Sequence, residues 1–181
     1  MKKLLILFLL IAATACSDDI SSTYSRKNRV ICTFQVASYE ELFMVMGSFG
    51  QFATVRPTGG RIEMGRIARD ETTGEAVLKT QKYPMDALSK DFQFGLGGLI
   101  IGTTQFGEYR AYDLACSNCD RADIRLTLRD DGTVVCSKCK IEYDCNNDGV
   151  ILDKGNGQHA KPRPLYKYPV TYDGMRVSVV N

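Results

Sequence analysis

Apolar and polar residues alternate along most of the chain, and the period is two. Residues 29–36 place Val30, Cys32, Phe34 and Val36 on one face and Ile31, Thr33 and Gln35 on the other, the pattern of a half-buried strand. Ile124, Leu126 and Leu128 alternate in the same way with Arg125, Thr127 and Arg129. Asp131-Gly132 then predicts a tight hairpin turn, because glycine accepts positive φ without steric cost, and Thr133-Val134-Val135 returns as a second strand. Further strands are predicted at 94–101 (with glycines at its start), 109–114, 141–143, 150–152, 165–172 and 175–180. Turn signals separate them at Phe106-Gly107, Asn147-Asp148-Gly149 and Asp173-Gly174. Two stretches read less clearly. Leu42, Phe43, Val45, Met46 and Phe49 fit a short helix as well as a strand. Residues 54–91 carry turn signals at Pro57-Thr58-Gly59-Gly60, Thr72-Thr73-Gly74 and Tyr83-Pro84. They read as a decorated loop with an added hairpin (61–68 and 75–80) on one sheet edge. Closely spaced hairpin turns and almost no helix predict an all-β, antiparallel sandwich or barrel.

The beginning of the chain changes the picture. Lys2-Lys3 followed by the apolar run 4–12 and by Ala13, Thr14 and Ala15 predicts a secretory signal ending at Cys16. That end resembles a bacterial lipobox, with Ala13 where leucine is more usual. The resemblance implies that Cys16 is lipidated and anchors the chain to a membrane, since the apolar run is short of the ~20 residues of a spanning helix. The expected location is exported, periplasmic or on the outer-membrane surface, and Ser17-Asp18-Asp19 points weakly to the latter. Residues 17–28 are polar and predict a tether, leaving one domain at 29–181. The formal charge of +2 falls to zero on side chains once Lys2 and Lys3 are removed, so no basic field calls for nucleic acid.

Four of the seven cysteines carry the candidate chemistry. Cys116/Cys119 and Cys136/Cys139 are two Cys-x-x-Cys knuckles, and the gap between them falls within the two-knuckle zinc template. Each knuckle turns both sulfurs to one side, and two facing knuckles make a tetrahedral four-thiolate pocket. Such a site selects zinc, a single iron or an iron–sulfur cluster. A pair of disulfides is the competing reading in an exported chain. Cys32 reads as a buried thiol, and Cys145 as a partner open to Cys32 after export. Glu40/Glu41 and Asp130/Asp131 read as an element edge and a turn, and Tyr166, Tyr168 and Tyr172 as strand residues.

From residue 92 onward the chain resembles the Rieske iron–sulfur domain. The resemblance rests on Gly97-Gly98-Leu99-Ile100-Ile101, on residues 107–116 leading into the first knuckle, on Val135-Cys136-Ser137-Lys138-Cys139-Lys140-Ile141-Glu142-Tyr143-Asp144, on the turn at 147–151, and on 158–165 with Tyr168-Pro169-Val170 and the last hairpin. It implies a base domain of small antiparallel sheets, with 29–36 as its first strand. Inserted into that base is a zinc-ribbon- or rubredoxin-like metal subdomain at about 113–144. It also implies electron transfer through a [2Fe–2S] cluster or a single iron, with an unknown redox partner. The family pairs Cys-x-His with Cys-x-x-His. Here Asn118 stands where the first histidine belongs, with Cys119 next to it, and Cys139 replaces the second. The only histidine, His159, falls in the segment matching the family's Pro-containing loop, so His159 and Asn118 are candidates for residues supporting the site. Thiolates in place of histidines add negative charge and lower a cluster's potential. The other class of function is a non-redox binding or interaction module whose zinc staples the fold. No histidine completes a nucleophile triad near the knuckles, and no two-His, one-carboxylate iron set exists, so an electron carrier or binding protein is expected rather than a catalyst.

Overall fold

A computed structural model describes residues 24–86 and 89–181. The expected leader 1–16, the lipidation residue Cys16 and the tether as far as residue 23 lie outside the described residues.

Besides single 3-10 turns at Val36–Ser38 and Ser89–Asp91, fourteen strands and one short α-helix follow in order among the described residues. They are β1 (Val30–Gln35), α1 (Glu40–Met46), β2 (Gln51–Thr58), β3 (Arg61–Arg69), β4 (Ala76–Pro84), β5 (Gln93–Phe94), β6 (Leu99–Thr103) and β7 (Tyr109–Asp113), then β8 (Leu126–Leu128), β9 (Thr133–Cys136), β10 (Glu142–Asp144) and β11 (Val150–Asp153), and finally β12 (Lys167–Tyr168), β13 (Val170–Tyr172) and β14 (Arg176–Val180). They form three sheets, ordered β13-β14-β1-β5, β12-β7-β6-β2-β3-β4 and β11-β10-β9-β8. The ladders are antiparallel, for example Ile31 opposite Val180 and Ile101 opposite Ala111. The expected all-β antiparallel architecture is therefore what the chain adopts.

The middle of the six-stranded sheet, at β6 and the adjoining parts of β2 and β7, is buried on both faces. Ala53, Val55, Leu99, Ile101 and Ala111 point into a first core shared with Val30, Cys32 and Phe34 of β1, Val177 and Val179 of β14, and Leu42, Val45 and Met46 of α1. Phe52, Ile100 and Tyr112, one residue out of phase, point into a second core with Cys116, Val134, Cys136, Ile141 and Tyr143. A strand covered on both sides reads as a continuous apolar run rather than an alternation, which is why Leu99-Ile100-Ile101 stands out in the sequence.

Three expectations need correction. The ambiguous stretch 39–52 divides: Leu42, Val45 and Met46 bury one face of α1 while Phe43 and Met44 stay exposed, and Gln51 already begins β2. In the stretch 54–91 the expected hairpin on one sheet edge is present as β3 and β4, paired over nine residues, but the expected decorated loop ahead of it is the second half of β2. Pro57 is tolerated in β2 because its neighbour β6 pairs only as far as Val55, and a proline without an N–H sits well where a strand has become an edge. Tyr83-Pro84 ends β4 instead of forming a turn. Finally, the last residues of the expected tether are docked. Ser25 N–H donates to Lys167 O at 2.7 Å, and Asn181 Nδ2 donates to Ser25 O and Asn28 O at 2.9 and 2.7 Å.

The third sheet is an excursion from the large one. β7 and β12 are direct neighbours, with Ala111 opposite Tyr168, yet the chain between them leaves at Leu114 and returns at Tyr166. β8–β11 and both knuckles lie in that excursion, which is longer than the expected 113–144. Asp113 closes its base. The buried carboxylate accepts from Leu96 N and Tyr168 Oη (both 2.7 Å), Ala115 N (2.8 Å) and Gly97 N (3.0 Å).

Candidate metal centre

Each knuckle hangs from a short strand, and the two are built alike. In the first, Cys116 N–H bonds Ile124 O at 3.0 Å and Asp120 N–H bonds Cys116 O at 2.9 Å. In the second, Cys136 N–H bonds Ile141 O at 3.0 Å and Lys140 N–H bonds Cys136 O at 2.9 Å. The residue after the second cysteine turns left-handed in both, with φ of 54° at Asp120 and 61° at Lys140. This conformation costs a non-glycine residue about 1 kcal/mol or more, and the repeated closure of the two loops holds it in place.

The result is a cluster of four sulfurs. All lie within 4.8 Å of one another. The cross-knuckle pairs are 3.6 Å for Cys116 and Cys139 and 3.7 Å for Cys119 and Cys136. Four thiolates about 2.3 Å from one ion, at the corners of a tetrahedron, stand about 3.8 Å apart. The four-cysteine group is thus positioned to hold a single metal ion. The six cysteines of the described residues are all free thiols. Cys32 and Cys145 are buried in different cores, so neither the disulfide reading of the knuckles nor a Cys32–Cys145 pair is what the fold contains. Burial pushes the Cys32 thiol up to about 12, the inert thiol expected at that position.

Cys116, Cys136 and Cys139 are buried, and Cys119 is partly exposed. Burial raises Cys136, but the amides of Cys139 and Lys138 and the neighbouring sulfurs outweigh it and hold this thiol below its ordinary value. Burial, then the charge of Cys116, pushes Cys119 well above the ordinary range, and burial takes Cys139 up to about 11. One thiolate is favoured by the backbone, and further ionisation meets negative charge at close range. A cation among the four sulfurs reverses that opposition.

Around the sulfurs lies a hydrogen-bond chain that ties the knuckles to a loop. Tyr143 Oη is 3.4 Å from Cys116 Sγ and accepts from Asn118 Nδ2 at 2.8 Å. Asn118 also donates to Arg163 O and accepts from Arg163 N, both at 2.8 Å. Arg163 Nη2 returns to Ser117 O at 2.7 Å. At the other end of the same loop, Asn156 N donates to Cys139 O at 3.1 Å and Asn156 Nδ2 to Lys138 O at 3.3 Å. Residues 154–164 therefore strap the second knuckle to the first. Asn118 joins the first knuckle to this strap. His159 lies on this strap, half-buried, and makes no hydrogen bond to the cysteines among the described residues; the strap is held by Asn156 and Arg163. Tyr143 read in sequence only as a strand residue. Its signal was the inward phase of β10, two residues after Ile141. Lys27 and Tyr166 both reach Asp120 at the left-handed corner of the first knuckle.

Compared with known proteins, the chain matches no family model, no curated protein and no solved structure.

Proposed function

We propose that Cys116, Cys119, Cys136 and Cys139 hold one zinc ion that staples the excursion between β7 and β12, and that the protein is a binding or interaction module. The observation that carries this is the sulfur geometry. Every pair of sulfurs is close enough to be an edge of one tetrahedron around one ion. A [2Fe–2S] cluster shares its four thiolates between two irons and sets the pairs on opposite irons further apart, so the sulfur positions favour a single ion. Four thiolates leave no open coordination position, which suits a structural zinc. The ion supplies attraction that four short strands and two strained corners do not. The chain's own residues do the rest: they present the sulfurs, donate backbone N–H groups to Cys136, and close the strap over both knuckles.

A single iron with electron transfer is the second reading, favoured by the partial exposure of Cys119, which brings one ligand to the surface. The excursion of a small sheet between two paired strands of a larger one supports the Rieske-like architecture for either metal. The signal-like sequence at 1–16, with its lipobox-like end at Cys16, supports the reading of an exported lipoprotein anchored through Cys16, periplasmic or on the outer-membrane surface.

Metal and acid-labile sulfide analysis tests the proposal, on protein starting after Cys16 and purified anaerobically without added metal. One zinc per chain, no sulfide and loss of structure on chelation are expected. One iron without sulfide replaces zinc by the second reading. Iron with sulfide contradicts the single-ion centre.

A further inference from the structure

Charge is segregated on this molecule. Residues 136–141 read CSKCKI and residues 154–164 read KGNGQHAKPRP, and neither contains an acid. The hydrogen bonds from Asn156 to Lys138 O and Cys139 O lay these two segments against each other. Arg163 carries the strap on to Ser117 beside the first knuckle. Lys138, Lys140, Lys154, Lys161 and Arg163 are all exposed. None of the five forms an ion pair among the described residues. Of the acids nearest in the chain, Asp120 pairs with Lys27, Asp123 with Arg121 and Glu142 with Arg129 (both 2.7 Å), while Asp153 accepts from the amide of Gly155 at 2.6 Å and keeps its charge. Five exposed cations outside the ion pairs thus surround one end of a chain whose formal charge is +2.

We propose that this end, the strap over the second knuckle, is a docking face for an acidic surface of a partner protein. The charges fit an anionic partner. The strap has no large aliphatic side chain to seat in a lipid interface and no Phe, Tyr or Trp to serve as a stacking platform for bases, His159 being its one aromatic ring, so an acidic polypeptide is the complement the charges favour. An encounter of this kind is salt-sensitive and transient, because exposed charges at this spacing are screened at physiological ionic strength. The inference rests on the proposed metal centre, since the knuckle carrying Lys138 and Lys140 takes its shape from the ion.

The test is binding of a fluorescein-labelled poly-glutamate peptide to the metal-loaded chain at low salt, with metal content measured on every sample. The K154E/K161E variant is compared with K79E/K90E, an equal charge change on β4 and beyond it. The expected result is binding weakened about tenfold or more in K154E/K161E, with metal retained and K79E/K90E unchanged. Should K154E/K161E lose its metal, the neutral variant K154Q/K161Q is read in its place, and the metal loss marks a failure of the centre and not of the docking face. Equal binding by the wild type and the strap variant overturns the proposal. So does equal weakening in K79E/K90E, or stronger binding to phosphatidylglycerol vesicles or to duplex DNA than to the peptide.

Discussion

Asn118→Ala removes the side chain that joins the first knuckle to the strap. Four hydrogen bonds go at once: Nδ2 to Tyr143 Oη, Nδ2 to Arg163 O and Arg163 N to Oδ1, each 2.8 Å, and Nδ2 to Ser117 Oγ at 3.3 Å. Asn118 is 9% exposed and Tyr143 fully buried, so water does not replace the bond to the tyrosine hydroxyl. Arg163 O keeps Ser117 Oγ at 3.2 Å, which limits the loss on that side. At about 1 kcal/mol for each bond, with Tyr143 Oη keeping Cys116 Sγ at 3.4 Å, the expected destabilisation is about 2–4 kcal/mol. Urea unfolding of the metal-loaded protein reads that total, and amide hydrogen exchange locates it. The Arg163 amide loses its acceptor and exchanges about thirtyfold or more faster, since about 2 kcal/mol is a factor of about 30. The Asn156 amide, bound to Cys139 O at 3.1 Å, keeps its protection because the other end of the strap is untouched. A stability change below about 0.5 kcal/mol with an Arg163 amide as protected as in the wild type would refute the strap account.

Three further outcomes are expected. Tyr143→Phe deletes the hydroxyl beside Cys116 Sγ and weakens metal binding by about 10- to 100-fold in competition with a chromophoric chelator; unchanged affinity would show the hydroxyl to be a bystander. Gly155→Ala drives a Cβ into Cys139 O at a residue with φ of +64°, so the strap must lift from the second knuckle, at a cost of about 2 kcal/mol or more in denaturant unfolding. At Asp148 burial raises the carboxyl, but hydrogen bonds from Lys167 and Arg110 outweigh it and hold it below its ordinary value. With a folded value below the unfolded one of about 3.9, this carboxylate contributes stability that is complete above that pH and is lost as pH falls through the folded pKa. Asp148→Asn is therefore less stable than the wild type at neutral pH, and the gap closes in acid. A gap that stays constant over the acid range in pH-dependent thermal melts would contradict the ion-pair assignment.

What the sequence discloses follows the strength of the local signal. The knuckles are legible because two Cys-x-x-Cys pairs have few other uses, and the strand 29–36 because one face is core and the other solvent. The hairpin at Asp131-Gly132 is legible because glycine marks its turn. The β2–β4 edge is not. Pro57 and Tyr83-Pro84 look like breakers until the pairing shows that Pro57 lies beyond the end of β6 and Pro84 at the end of an edge strand. Residues 39–52 hold a helix and the start of a strand, and an apolar stripe that short suits either period. The strap escapes for a different reason. Asn118 meets Arg163 across 45 positions of sequence, and neither residue carries a pattern that announces the other. His159 drew notice as the only histidine, while the contacts fell to Asn156 and Arg163, ordinary polar residues in a loop.

X-ray absorption at the edge of the metal found in purified protein tests the central claim most directly. A single ion among Cys116, Cys119, Cys136 and Cys139 predicts one shell of four sulfurs at about 2.3 Å and no metal–metal scattering. Nitrogen or oxygen in the first shell, fewer than four sulfurs, or a short metal–metal vector would contradict it.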